Sequence, residues 1–255
     1  MPEFDDNLGG SFYEGDQRVI SKLQQFTEKW GIDGLKALEF FPLLTRRTWL
    51  NRMLAHYNLF MHTIDLPGDI IEFGVFRGNS LFSWANFLEI HTPGDRTKQV
   101  FGFDTWQGII SLDEKDGDAD PNFGKQVGAF QIENLFEFIN DAKDIFDADR
   151  FVPWKDRIVL VQGPIEETFP KFIEENPGRR FSLCHFDCDL YEPTKVGLDL
   201  IYDKIVPGGV IIFDEYGNAG WQGETLAVDE FVSASGAQLR KLEWAGTPRA
   251  YVVKE

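Results

Sequence analysis

Two short hydrophobic runs, residues 181–186 and 210–213, dominate the alternation of apolar and polar positions, because each ends in acids. The first runs into Asp187-Cys188-Asp189 and the second into Asp214-Glu215. Each run has the length of a buried strand, and the segment between them is long enough for a crossover helix. Strands joined in this way lie parallel and side by side. Asp187 and Asp214 are therefore expected at neighbouring carboxyl ends, on strands about 5 Å apart. That edge is where open α/β sheets bind ligands. Three or four carboxylates meeting there repel one another unless a cation or a proton is shared among them.

The same pattern predicts three earlier strands, over 69–74, 99–104 and 157–163, and helices over 81–90, 130–146 and 165–176. A helix over 224–233 then precedes two late strands, 238–244 and 250–253, expected as an antiparallel edge. From Arg18 to Thr63 the pattern is helical, with breaks at Gly31, Gly34 and Pro42. Leu50, Met53, Leu54, Tyr57 and Met61 recur at spacings of three and four and predict one apolar face. Residues 1–17 are expected to be loose, and the acidic stretch 111–128 to be a mobile loop. The predicted organisation is an N-terminal helical extension or lid, 1–66, followed by an α/β domain, 67–255. Its sheet is mostly parallel, with helices on both faces and an antiparallel edge strand.

A chain of 255 residues suits one such domain with additions at its edges. The formal net charge of −17 argues against nucleic acid and anionic membranes as partners, since both need basic patches. A small anionic ligand, which needs only a local site, stays open. Cys184 and Cys188 share one predicted strand, a poor arrangement for a disulfide, and no Cys/His set completes a zinc site. Two buried thiols in a reducing compartment are expected. No signal-peptide pattern and no apolar run of membrane-spanning length occur, so a cytoplasmic location is expected. The 24 Phe and 7 Trp favour bulky packing and are compatible with an aromatic-lined pocket and with a homo-oligomer.

Gly74 and Gly78 bracket a turn between the first strand and its helix, where glycine lets the backbone approach a ligand. The turn is neither the dinucleotide glycine pattern nor a phosphate loop. A nucleoside-like cofactor without phosphates fits better. Asp104, at the end of the second strand, is placed to accept both hydroxyls of a ribose; a turn or N-cap role is the alternative. Gly163, with Pro164 and Ile165, is placed to border an adenine ring. Glu72 is either the acceptor of a cofactor ammonium or a satisfied strand-end acid. His185 shares a strand face with Asp187, one repeat deeper, and is read as a packed or supporting residue. His56 and His62 are read as helix-face packing residues of the covering layer, with reach into a site beneath that layer as the alternative.

Four segments, 72–78, 103–108, 186–194 and 207–216, together resemble the macrocin O-methyltransferase family. Their most specific part is Asp187-Cys188-Asp189-Leu190-Tyr191-Glu192 with the acid pair Asp214-Glu215 downstream. The family belongs to the class I S-adenosylmethionine-dependent methyltransferases, which have a Rossmann-like fold. The resemblance implies methyl transfer to a hydroxyl of a sugar or glycosylated metabolite. It implies an S-adenosylmethionine site at Glu72, Gly74, Gly78, Ser80 and Asp104. It also implies a Mg²⁺ held by Asp187, Asp214 and the next residue, usually a second Asp in the family and Glu215 here. Catalysis would then fall to Asp187 or Asp189 as general base. Three rivals remain. Asp187-Cys188-Asp189 also fits the Asp-x-Asp pattern of metal-dependent glycosyltransferases that bind a nucleotide sugar. Tyr191 and Lys195 match the spacing of a dehydrogenase pair, although Pro193 marks a helix start there. The third is a non-catalytic binding protein on the same scaffold.

Overall fold

The computed structural model describes residues 14–121 and 124–255. The expectation of a loose N-terminus falls largely outside them. Six strands, β1 Asp69–Phe73, β2 Val100–Asp104, β3 Ile158–Gln162, β4 Phe181–Phe186, β5 Ile205–Phe213 and β6 Ala250–Val253, form one sheet. Their order is β3-β2-β1-β4-β5-β6. The first five are parallel, and β6 runs antiparallel to β5. Four N-terminal helices, α1 Glu14–Trp30, α2 Gly34–Glu39, α3 Phe41–Leu44 and α4 Arg47–Met61, precede the sheet. The others are α5 Asn79–His91, α6 Leu135–Ala148, α7 Ile165–Glu175, α8 Tyr191–Ile201 and α9 Gln222–Ser235. Among the described residues, no helix is long and apolar enough to cross a membrane.

Strand alternation builds two cores. One face presents Ile70, Val100, Leu183 and Ile212 to Leu59 and Phe60 of α4 and to Leu81 and Trp84 of α5. The other presents Phe73, Phe103, Phe186 and Phe213 to Phe169 of α7, Leu198 of α8 and Val228 of α9. Those four phenylalanines are in register with one another at the carboxyl ends of β1, β2, β4 and β5. Their ring centroids step across the sheet at 5.5, 4.9 and 5.8 Å. Each such pair adds about 0.5–1.5 kcal/mol beyond its buried area. The shared register brings Gly74, Asp104, Asp187 and Asp214 out along one edge. Strand order reverses there between β1 and β4, which opens a crevice.

The structure corrects several expectations. On α4 the buried residues are Ala55, His56, Leu59 and Phe60, while Leu54 and Met61 are exposed. The stripe facing the core lies one position round the helix, because it includes a histidine that an apolar count passes over. Gly34 opens α2 and Pro42 sits in the first turn of α3, so neither breaks a helix. Residues 238–244 form no strand; a single bridge, Arg240 to Tyr251, is all that pairs. Leu239 and Leu242 pack onto the cores from irregular chain, so the alternation there reflects burial without a ladder. The helix expected from 130 begins at Leu135, since Phe130 and Asn134 take left-handed φ of 61° and 60°. The stretch expected to be mobile is anchored: Asp116 and Lys125 are buried. Asp116 accepts hydrogen bonds from the backbone of Tyr191 at 2.7 Å and Asp113 at 2.8 Å, and Lys125 donates to the Asp116 carbonyl.

Candidate active site

A cavity of about 460 Å³ opens at the carboxyl edge of the sheet, at the reversal between β1 and β4. Gly74, Asp104 and Ile165 line it, together with Arg52, Asp187, Asp189 and Glu215. Gly74 has φ +87°, and a Cβ there would lie 2.1 Å from the Asp187 carbonyl oxygen. The close approach of the β1 and β4 ends therefore requires glycine. Asp104 organises the loops beside it. One oxygen accepts from Val75 N and Phe76 N, each at 2.8 Å, and the other from Trp106 N at 2.6 Å. Aromatic rings of Phe76, Trp106, Phe130 and Trp221 form the walls, with Phe130 5.7 Å from Phe76 and 6.1 Å from Trp221.

Four residues expected to touch a cofactor lie behind the wall. Glu72 is fully buried. Its Oε1 accepts from Ser80 Oγ at 2.9 Å, and its Oε2 accepts from Trp84 Nε1 at 2.8 Å and faces His185 Nδ1 at 3.3 Å. Glu72 is thus the satisfied internal acid of the two alternatives, and Ser80 is committed to it. Gly78 caps α5 with a left-handed φ of 83° and faces Phe82 and Ile139. Gly163 donates to the Asp104 carbonyl, and its neighbour Ile165 reaches the cavity instead.

The acid cluster is a charge network that the sequence showed only in part. Arg52 Nη2, from α4, lies 2.5 Å from both Asp187 Oδ2 and Asp214 Oδ2. The first contact is a directed hydrogen bond. The second is an ion contact, and it leaves Asp214 Oδ2 without an aligned donor. Asp214 Oδ1 lies 2.9 Å from His185 Nε2. Burial works against a charge on His185, but Asp214 and then Glu72 overcome it and hold the imidazolium up to about 10. Burial lowers His56 to about 4, with the cations His185 and Arg52 adding to the effect. A neutral His56 ring therefore lies 4.9 Å from a charged His185 ring. Burial also pushes Asp214 up, yet Arg52 and His185 pull it well below the usual carboxylate range.

The other acids go the opposite way. Burial lifts Asp187 to about 8, against Arg52 and with Asp214. Burial, then Glu215 and Asp187, lifts Asp189. Burial lifts Glu215 against a hydrogen bond from Asn218. Glu224 of α9 is fully buried, accepts from Glu215 N at 2.9 Å and is raised well above its ordinary value by burial and Glu215. The cluster is short of positive charge.

Two donor sets invite a metal. His56, His185 and Asp214 offer atoms within 4.8 Å of one another. His185 is held protonated by Asp214 and Glu72, so it has no lone pair to give, and this trio is an acid–base cluster. Asp187, Asp214 and Glu215 offer oxygen donors, with Asp214 Oδ2 lacking an aligned donor. Carboxylates are the donors that Mg²⁺, a hard cation, takes, but Arg52 contacts both Asp oxygens here, and among the described residues only His56, His185 and Asp214 bring three ligand atoms within 4.8 Å of one another. Tyr191 and Lys195 do not form a dehydrogenase pair: Tyr191 bonds Lys115 and Glu230, and Lys195 bonds Asp199.

Arg52, Trp221, Asp116 and Glu224 were not among the expected site residues. Arg52 had a usable signal, because it stands four residues before His56 and so shares its helix face.

The family model for macrocin-O-methyltransferase (TylF) matches residues 48–247. The 8-demethyl-8-(2,3-dimethoxy-alpha-L-rhamnosyl)-tetracenomycin-C 4'-O-methyltransferase of Streptomyces olivaceus is 26% identical over 153 residues, 59% of this chain and 54% of that protein. Mycinamicin III 3''-O-methyltransferase of Micromonospora griseorubida is 27% identical over 153 residues, 59% of this chain and 56% of that protein. The chain thus spans about half the length of these curated relatives. Among solved structures, CalS11, a calicheamicin methyltransferase, superposes with a TM-score of 0.86 at 28% identity, covering 96% of this chain and 95% of that one. The apo form of CalS11, described as a TDP-rhamnose 3'-O-methyltransferase, gives 0.78 at 27% identity over 95% and 96% of the two chains. With the family model spanning most of its length, this chain belongs to the macrocin-O-methyltransferase family.

Proposed function

We propose that the protein is an S-adenosylmethionine-dependent O-methyltransferase that methylates a hydroxyl of a sugar or glycoside, assisted by Mg²⁺. The observation that carries this reading is that Asp187, Asp189 and Glu215 line the same cavity as Gly74, Asp104 and Ile165, with Asp214 joined to Asp187 through Arg52. The relatives named for sugar and glycoside methylation support the acceptor class. Family membership stands against the glycosyltransferase alternative.

Within this reading the cofactor supplies an already activated methyl group, and the protein must place and deprotonate the acceptor. Asp104 Oδ1 carries one backbone hydrogen bond and keeps capacity to accept a ribose hydroxyl. Ile165 and the aromatic walls offer flat apolar contact to a base and a sugar ring. Asp189 is the base. Burial beside Glu215 and Asp187 raises its proton affinity, which suits a group that must take a proton from a weakly acidic hydroxyl. Arg52 fixes Asp187, and His185 holds Asp214 ionised and oriented. Mg²⁺ held by Asp187, Asp214 and Glu215 would lower the pKa of the acceptor hydroxyl. Holding oxygen, carbon and sulfur in line supplies much of the remaining rate.

The test is calorimetric titration of S-adenosylhomocysteine into the protein, with and without Mg²⁺. Binding is expected. Absence of binding under both conditions would overturn the reading.

A further inference from the structure

Arg52 stands where the acids of the site would have to meet an ion. Its Nη2 lies 2.5 Å from Asp187 Oδ2 and 2.5 Å from Asp214 Oδ2, but the two contacts differ in kind. The one to Asp187 is an aligned hydrogen bond. The one to Asp214 is not, and Asp214 Oδ2 is left buried with no aligned donor. The other oxygen of Asp214 is committed inward, to His185 Nε2 at 2.9 Å, with His56 Nε2 3.9 Å away. Oδ2 is therefore the oxygen that Asp214 has left to give to a ligand. Asp214 itself is buried and is not a lining residue of the cavity, whereas Arg52 is. The guanidinium separates this oxygen from the cavity.

A second, independent observation is the spacing of the acids. Mg–O bonds are about 2 Å long, so neighbouring ligand oxygens lie about 3 Å apart and opposite ones about 4 Å. Among the described residues, Asp187, Asp214 and Glu215 do not bring three ligand atoms within 4.8 Å of one another. Arg52 Nη2 fills the gap between the two aspartates. A guanidinium nitrogen and an ion cannot both sit between those oxygens, so the carboxylates can close only as Arg52 draws back from Asp214. The side chain has room to do so, being 39% exposed. The backbone of α4 need not move. Asn51 donates to the Trp244 carbonyl at 3.1 Å and accepts from Gly246 N at 3.2 Å, and Leu59 and Phe60 are packed in the core.

Resting on the proposed Mg²⁺-assisted methyl transfer, we infer that Arg52 is a displaceable counter-ion, which yields Asp214 Oδ2 to the ion and keeps its hydrogen bond to Asp187. Asp187 has a second oxygen, so bonding Arg52 through Oδ2 leaves Oδ1 to take part in ligation. In its present place Arg52 screens two acids that would otherwise repel each other. The exchange brings two positive charges to Asp214 in place of one, beside Asp189, Glu215 and Glu224, whose charges act on one another. Arg52 is thus a positioning residue for Asp187 and a competitor for Asp214. Entry of the ion and retreat of Arg52 from Asp214 are one event.

Calorimetric titration of Mg²⁺ alone into the full chain tests this, in wild type, Arg52→Met and Arg249→Met. Arg52→Met is expected to bind Mg²⁺ about tenfold tighter or more, since a competing cation in direct contact is gone. Arg249→Met is the control for charge at a distance, because Arg249 acts on Glu215 and donates to the Gly217 carbonyl. It is expected to tighten binding less than about threefold. Arg52→Gln keeps a donor for Asp187 and should tighten binding in the same direction, and it takes the place of Arg52→Met if that variant unfolds. Tighter Mg²⁺ binding together with slower turnover is a pairing that structural damage does not give, because damage weakens both. Mg²⁺ binding that is unchanged or weaker in the Arg52 variants, or tightened equally by Arg249→Met, overturns the inference and leaves Mg²⁺-assisted methyl transfer standing. No Mg²⁺ binding by wild type or variants overturns the ion's role and the inference with it, while S-adenosylhomocysteine binding still decides the methyltransferase reading.

Discussion

Replacing Glu72 by Gln tests whether Glu72, His185 and Asp214 form a charged unit beneath the cavity. The change keeps the shape of a fully buried side chain. The new amide oxygen can accept from Trp84 Nε1, and the new NH₂ can donate to Ser80 Oγ, so both of these former donors keep a partner. What disappears is one negative charge 3.3 Å from His185 Nδ1. Hydrogen bonds to charged groups are worth roughly 1.5–3 kcal/mol. In a domain of this size that lowers the melting temperature by about 3–12 °C. The pH dependence has a definite sign. His185 is raised from 6.5 to about 10 in the folded protein. Its contribution is complete below pH 6.5 and is lost as pH rises through about 10. At about 1.4 kcal/mol per tenfold change in proton affinity, the whole rise corresponds to roughly 5 kcal/mol. Asp214, at 2.9 Å, contributes more of it than Glu72 at 3.3 Å. The gap in stability between wild type and variant should be widest at pH 6 and should close towards pH 10. Urea unfolding at both ends of that range measures it. An unchanged gap, or equal midpoints at pH 6, would refute the charged unit.

Three further changes probe the cavity itself. Asp187→Asn should reduce kcat by at least about 1000-fold while S-adenosylhomocysteine still binds; near-normal turnover would sink the mechanism. Gly74→Ala puts a Cβ against the Asp187 carbonyl at a left-handed φ. It should cost about 2 kcal/mol or more in a denaturant melt, where wild-type stability would contradict the close packing of β1 and β4. Arg52→Met should destabilise the protein by about 1–3 kcal/mol, because it leaves the buried Asp214 with His185 as its remaining charged partner. The same variant should lower turnover at least tenfold, and a wild-type kcat would show that Arg52 does not position Asp187.

The sheet was legible because its strands are short apolar runs with acids at their ends, and the crossover rule then fixes which ends are neighbours. Asp104, Asp187, Asp189, Asp214 and Glu215 follow from that rule alone; four of them line the cavity, and Asp214 meets the lining residue Arg52. Glu72 lies away from the cavity for a definite reason. Position along a strand end predicts nearness to the edge, but not whether the side chain points out of the sheet or into its far face. Glu72 is paired in register with His185, and both point to the α4–α5 side, where Trp84 and Ser80 meet the carboxylate. Arg52 was hidden for a different reason. A helix contributing polar groups to a site departs from the apolar stripe by which its buried face is recognised.

The backbone around the cavity adds an argument that side-chain chemistry alone does not give. Phe76, Trp106, Phe130 and Asp189 line the cavity and have φ of 48°, 50°, 61° and 64°. They are four of the five non-glycine residues with positive φ in the described chain. Left-handed backbone costs roughly 1–2 kcal/mol for such residues, so the surroundings must over-determine each one. Asp104 does this for two of them, by accepting from Phe76 N and Trp106 N on its two oxygens. The ring contact between Phe76 and Phe130 ties in the third. Asp189 is held between the register of β4 and the start of α8, whose first N–H is fixed by Asp116. A cavity strained at four points and braced at each is set in shape before a ligand enters. Binding energy is then free to align methyl group and hydroxyl instead of ordering the protein.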